Sequence, residues 1–177
     1  MPGRRVIPKF LTPSRPTASS RQNQSRQNSS DFKRLMTPLD LSRQPPRSPR
    51  DEIGGLCMLP RMIDVARAKL PGGKIGTYQI GRGMSRLVLA HLEITADEFV
   101  DVVAKAANED EVVAKFADKR TPADNRMLNV RLRRITVADV PDDLRKSFER
   151  FYGADLPANK RVFDVLEEDD ARAFGAK

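Results

Sequence analysis

The sequence predicts an all-α fold: one compact domain of six or seven short helices, preceded by a disordered basic tail. Three observations carry this. From Asp51 onward apolar residues recur three and four apart, helix start and stop residues divide them, and only Gly76-Thr77-Tyr78-Gln79-Ile80-Gly81 alternates in the manner of a short strand. One strand of that size has nothing to pair with, so the helical reading dominates. The organisation expected is a tail over residues 1–35, a Pro/Arg-rich extended arm over 36–50, and a helical domain over 51–177.

The tail and arm are set apart by charge. The first fifty residues carry eleven Lys/Arg against Asp31 and Asp40, a net of +9, whereas the remainder has 21 basic and 22 acidic residues. The same fifty hold eight of the thirteen prolines, eight serines and a repeated Ser-Arg-Gln-Asn starting at Ser20 and Ser25. A segment so poor in apolar residues buries too little surface to offset its ordering entropy. In the arm, Pro38, Pro45, Pro46 and Pro49 oppose helix, while Leu39 and Leu41 give it something to pack with.

The first helix takes Leu56, Leu59, Ile63, Ala66 and Leu70 on one face and stops before Pro71-Gly72-Gly73, with Pro60 tolerated near its first turn. Ser85 is the expected cap of a second, from Arg86 to about Leu92. Thr95-Ala96-Asp97-Glu98 fits a capping box ahead of Phe99, Val102, Val103 and Ala106. Asn108-Glu109-Asp110-Glu111 repeats the pattern before Val112, Val113 and Phe116, with carboxylates at the positive end of the helix dipole. Thr121-Pro122 opens a helix whose apolar face is Met127, Leu128, Leu132 and Ile135. Pro141-Asp142-Asp143 opens another, with Leu144, Phe148, Phe151 and Tyr152 in register and Gly153 placed to end it. Last come a short apolar stretch from Arg161 and a helix whose acidic start is Glu167-Glu168-Asp169-Asp170, running to Phe174.

Composition narrows the function classes. No apolar run exceeds four residues, so neither a membrane helix nor a secretory signal is expected, and the protein is placed in the cytoplasm. With Cys57 and His91 the only residues of their kinds, no disulfide can form within one chain, and no thiolate or imidazole zinc site and no Cys/His or Ser/His catalytic pair is expected of them unaided. No metal and no cofactor is expected. Cys57 reads as a small buried hydrophobe, and His91 as a packing or surface residue. The carboxylate clusters fall where helix first turns are expected, which explains them without function. Asp64 alone has no such explanation: it sits mid-helix beside Arg61 and Arg67, with a surface ion pair as its plain alternative. Arg131, Arg133 and Arg134 form a small basic patch near a helix end. Half the glycines, Gly72, Gly73, Gly76, Gly81 and Gly83, lie among Lys74, Arg82 and Arg86, where backbone amides can approach an anion. Neither phosphate-loop spacing is met there, and tight turns are the alternative.

Taken together, Leu39-Asp40-Leu41, Pro46-Arg47-Ser48-Pro49-Arg50, Gly54-Gly55-Leu56, Leu59-Pro60-Arg61-Met62-Ile63-Asp64, Ala66-Arg67-Ala68, Gly76-Thr77-Tyr78, Asp110-Glu111-Val112-Val113 and Phe163-Asp164-Val165-Leu166 resemble a bacterial domain-of-unknown-function family, DUF5069, over about residues 36–174. The resemblance implies a small cytoplasmic helical protein and brings no activity, substrate or catalytic residue with it. It also implies a working chain that begins near Met36, which without residues 1–35 would carry a net charge of +1.

The functional expectation leans away from an enzyme. It is a helical domain that binds a protein or small anionic ligand through the Pro-Arg arm, the first helix and the glycine-rich loop. The candidate ligand-binding residues are Arg47, Arg50, Arg61, Asp64, Arg67, Lys74, Tyr78, Arg82 and Arg86, since guanidinium forks orient carboxylates and phosphates. The alternative is a nucleic-acid or ribosome-associated protein acting through the basic tail, whose spaced arginines neutralise phosphates without reading sequence. An enzyme using carboxylates and arginines, such as a lyase or transferase, comes third.

Overall fold

The computed structural model describes residues 35–175; the expectations of a disordered basic tail and of a start near Met36 lie largely outside them. Among the described residues the chain is about 53% helical, with seven α-helices and one two-stranded antiparallel sheet. The sheet is β1 (Glu52–Ile53) and β2 (Leu56–Cys57). The helices are α1 (Leu59–Ala68), α2 (Met84–Leu92), α3 (Ala96–Lys105), α4 (Glu109–Ala114), α5 (Pro122–Arg134), α6 (Asp142–Tyr152) and α7 (Val162–Phe174), with a 3-10 turn at Val137–Asp139. No helix among the described residues is long and apolar enough to cross a membrane.

Helix α1 is the hub, because it is buried on both sides. Leu59, Met62, Ile63 and Ala66 face the main core, which gathers Val88 and Leu92 of α2, Phe99 and Val103 of α3, Val112 of α4, Leu132 of α5 and Phe163 of α7. Phe99 stacks on Phe116 with ring centroids 6.0 Å apart, closing the α3–α4 corner. Val65 and Ala68, on the opposite side, pack with Leu41 of the arm and with Leu39, Ile75, Tyr78 and Ile80. The arm therefore packs through the two leucines expected of it, with Leu41 almost fully covered.

Local signals placed most helix starts. Thr95 and Thr121 form complete capping boxes with Glu98 and Asp124, and Asn108 accepts from the Glu111 amide. Gly153 ends α6 at φ 107°.

Several expectations are corrected. The segment 76–81 forms no strand: Tyr78 and Ile80 alternate inward because they fill the second apolar cluster beneath the arm. The sheet lies instead at 52–57, where Gly54 and Gly55, both at positive φ, supply the tight turn that pairs Ile53 with Leu56. Leu56 thus belongs to β2, not to α1. Helix α2 begins at Met84 behind Gly83, and Ser85 lies inside it, its hydroxyl accepting from the Gly81 amide and donating to the Arg82 carbonyl. On α5 Met127 is 72% exposed, so the buried face runs through Leu128 and Leu132. Helix α6 has no buried residue, and Phe151 is exposed. The acidic run near the end is not a helix start, since α7 begins at Val162 and carries these carboxylates in its middle.

Candidate functional site

The arm crosses α1 as an extended strap because its prolines keep it out of helix, and Pro46 and Pro49 are themselves buried. Its backbone is tied at several points: Leu41 donates to the Lys74 carbonyl at 2.7 Å, Lys74 to the Leu39 carbonyl at 2.9 Å, and Met58 to the Pro49 carbonyl at 3.0 Å. Gly76 permits this approach. Its φ is +60°, and a Cβ there would lie 2.9 Å from the Leu41 carbonyl oxygen.

Burial of Pro46 and Pro49 leaves Arg47 directed between α1 and α4. Its Nε and Nη2 each donate to Asp64 at 2.9 Å, the two-pronged geometry a guanidinium and carboxylate favour, and its amide adds a bond to the same carboxylate at 3.0 Å. Nη1 and Nη2 also reach Glu109 at 3.0 and 2.6 Å, and Nη2 the Pro60 carbonyl at 3.1 Å. Burial opposes the charge on Arg47, yet the bonds to Asp64 and Glu109 overcome it and push the pKa up. Asp64 is 5% exposed and its principal partner lies 17 residues away, so it is not the local surface pair that spacing offered. Arg67 touches it only at 3.9 Å and donates to the Thr37 carbonyl at 2.8 Å.

One turn along α1, Arg61 donates to both oxygens of Asp170 on α7, at 2.7 and 3.2 Å, and to the Arg47 carbonyl at 3.0 Å. Tyr78 of the glycine-rich loop donates its hydroxyl to Asp170 Oδ1 at 2.7 Å, and its ring lies beneath the Arg61 guanidinium at 5.4 Å. Burial, then the Asp170 carboxylate, push the Tyr78 pKa well up, so the phenol stays a donor. Arg50 continues the row on α7: it meets Glu167 at 3.1 Å and Asp164, and covers the Phe163 ring at 5.7 Å. Ser48 Oγ donates to the other oxygen of Glu167.

The structure thus brings Arg47, Arg61, Asp64, Arg67 and Tyr78 into one network and sets Arg50 beside it in a cluster with Ser48, Asp164 and Glu167. Lys74 stands apart, 3.3 Å from Asp40. Arg82 and Arg86 lie exposed at the start of α2, with no hydrogen-bond or ion-pair partner for either guanidinium among the described residues. Four members of the network and the cluster beside it were missed from sequence: Glu109, Asp164, Glu167 and Asp170. The last three fall at i, i+3 and i+6 on α7, a spacing that marks one helix face once the helix is taken to start at Val162.

Chemically the network is closed. Five carboxylates face the guanidiniums of Arg47, Arg50, Arg61 and Arg67, so no positive charge is left over for an anion there. Among the described residues no buried side-chain nitrogen or oxygen lacks a partner, and no group of His, Cys, Asp and Glu side chains is placed to hold a metal ion. Of the two lone reactive side chains, Cys57 is fully buried, and Arg133 donates to its sulfur from Nη2 at 3.0 Å. Burial pushes the Cys57 thiol up, with Arg133 pulling the other way. His91 Nε2 meets Asn125 Oδ1 at 2.9 Å.

A family model described as Domain of unknown function (DUF5069) matches residues 43–172, which include every side chain of the arginine–carboxylate network. No curated protein matches the chain. The match spans well over half of the sequence, and the chain belongs to this family.

Proposed function

We propose that this DUF5069 protein is a small helical binding module of the bacterial cytoplasm, which takes a protein or small anionic ligand against the Pro-Arg arm, α1 and the glycine-rich loop. One observation carries the reading: the division of labour among its cations. Arg47, Arg50 and Arg61 are committed to carboxylates and hold the arm in place, while Arg82, just ahead of α2, and Arg86, in its first turn, are exposed and without a side-chain partner among the described residues. Lys74, with Asp40 as its neighbour, lies on the glycine-rich loop. Tyr78 ties that loop to the network through Asp170, so the loop's placement depends on it.

The test is a thermal-shift panel of phosphorylated and carboxylated metabolites on the full chain and on the Arg82→Gln/Arg86→Gln double variant. At least one compound is expected to raise Tm in the wild type and to lose its effect in the variant. A flat wild-type panel overturns the reading. The +9 charge of the first fifty residues favours a second reading, nucleic-acid or ribosome association through the basic tail. It requires RNA binding that weakens steeply with salt and vanishes when residues 1–35 are deleted.

A further inference from the structure

The last turn of α2 and one face of α5 border an open cleft of about 470 Å³, lined by His91, Arg120, Asp124, Met127, Leu128 and Arg131. The four α5 residues stand at i, i+3, i+4 and i+7, one side of the helix, so a single surface is presented to whatever occupies the space.

Its polar groups are unequally occupied. Asp124 Oδ2 accepts from the Thr121 amide at 3.0 Å and hydroxyl at 2.7 Å, so that carboxylate is engaged in capping α5. Arg120 is held in place: Nη2 donates to Glu93 at 2.6 Å and Nε to the His91 carbonyl at 2.7 Å, which also satisfies a carbonyl at the negative end of α2. The Asn125 amide is oriented by its Nδ2 donating to the Gly54 carbonyl at 3.3 Å, which leaves Oδ1 facing His91. That bond occupies His91 Nε2, and the other ring nitrogen has no partner among the described residues. Arg131 is exposed and has no partner among the described residues, as do Arg126 and Arg134 on the same helix. The cleft therefore holds uncommitted positive charge beside an apolar floor made of buried Leu128 and of Met127, one of the most exposed large apolar side chains described.

We propose that this cleft binds a small organic acid, one bearing a carboxylate or phosphate for Arg131 and an apolar portion that lies on Met127 and Leu128. Neither Arg82 nor Arg86 lines this cleft. Phenyl phosphate is the probe, titrated into full-length protein carrying ¹⁵N label and ¹³C-methyl methionine. Saturable shifts are expected at the Met127 methyl, at His91 and at Asn125. They should need about tenfold more ligand in Arg131→Gln, the loss of one charge-assisted contact, and be unchanged in Arg82→Gln/Arg86→Gln. Because Arg131 is exposed and its guanidinium has no partner among the described residues, its substitution leaves the fold intact and the comparison valid. The proposal is overturned if the Met127 and His91 signals do not saturate, if Arg131→Gln binds as tightly as wild type, or if phenol shifts the same signals at the same concentration.

Discussion

Arg61 and Asp170 are each less than a tenth exposed and come from α1 and α7, 109 residues apart. Removing one partner of such a pair leaves the other charge buried and uncompensated. Asp170→Ala is therefore expected to cost about 3–5 kcal/mol in urea unfolding; a loss under 1 kcal/mol would mean that Arg61 finds water or another carboxylate. Tyr78→Phe removes a single hydrogen bond from the same carboxylate and is expected to cost about 1 kcal/mol at neutral pH. It has a second signature. The folded protein holds the Tyr78 proton beyond its ordinary pKa of 10, so the stability tied to that proton is complete below pH 10 and is lost as pH rises past it. Wild-type stability should fall above pH 10 more steeply than that of Tyr78→Phe, as measured by denaturation at fixed pH values. At this scale the sequence was half legible. Asp64 stood out because nothing at a helix end explained it, but only the fold shows that its partner is Arg47, whereas the neighbouring Arg61 turns to α7.

Helix starts were legible because a cap is made within four residues. Thr95, Asn108 and Thr121 each lie where their side chains take an amide of the first turn. Asn108→Ala is expected to cost about 1 kcal/mol, seen as a lower urea midpoint with unchanged slope. The capping carboxylates Glu98 and Asp124 have pKa values lowered chiefly by bonds from Thr95 and Thr121. What they contribute is complete above the ordinary carboxylate range and is lost as pH falls through it. Elements whose character depends on distant neighbours were less legible. The alternation at 76–81 imitates a strand because the loop lies on an apolar cluster, and Gly54-Gly55 were legible as a hairpin turn only with Ile53 and Leu56 taken as a pair. Helix α6 shows the same limit: its apolar spacing is helical as expected, but no residue of it is buried. Its amides should exchange with deuterium well ahead of those of α1, which is buried on both sides; equal protection would contradict this ranking.

Across the whole molecule, a helical core with α1 at its centre is strapped by an arm whose arginines reach three helices. The all-α class followed from periodicity, but the closing of the arginine–carboxylate network did not, because Arg50 meets Asp164 and Glu167 across more than a hundred residues of chain. The consequence is a separation of roles: network cations hold the arm, and Arg82 and Arg86 at the start of α2 are exposed. Arg47→Gln should therefore lower stability without removing ligand response, since its guanidinium is already saturated by Asp64, Glu109 and a carbonyl. The most direct test is the Tm increment given by one active anion from the metabolite panel, measured on wild type, Arg47→Gln and Arg82→Gln/Arg86→Gln. We predict equal increments in the first two, from a lower baseline in Arg47→Gln, and none in the third. An increment that survives in Arg82→Gln/Arg86→Gln for an anion that leaves the Met127 and His91 signals of the α5 cleft unmoved, or one that disappears in Arg47→Gln, would contradict this separation.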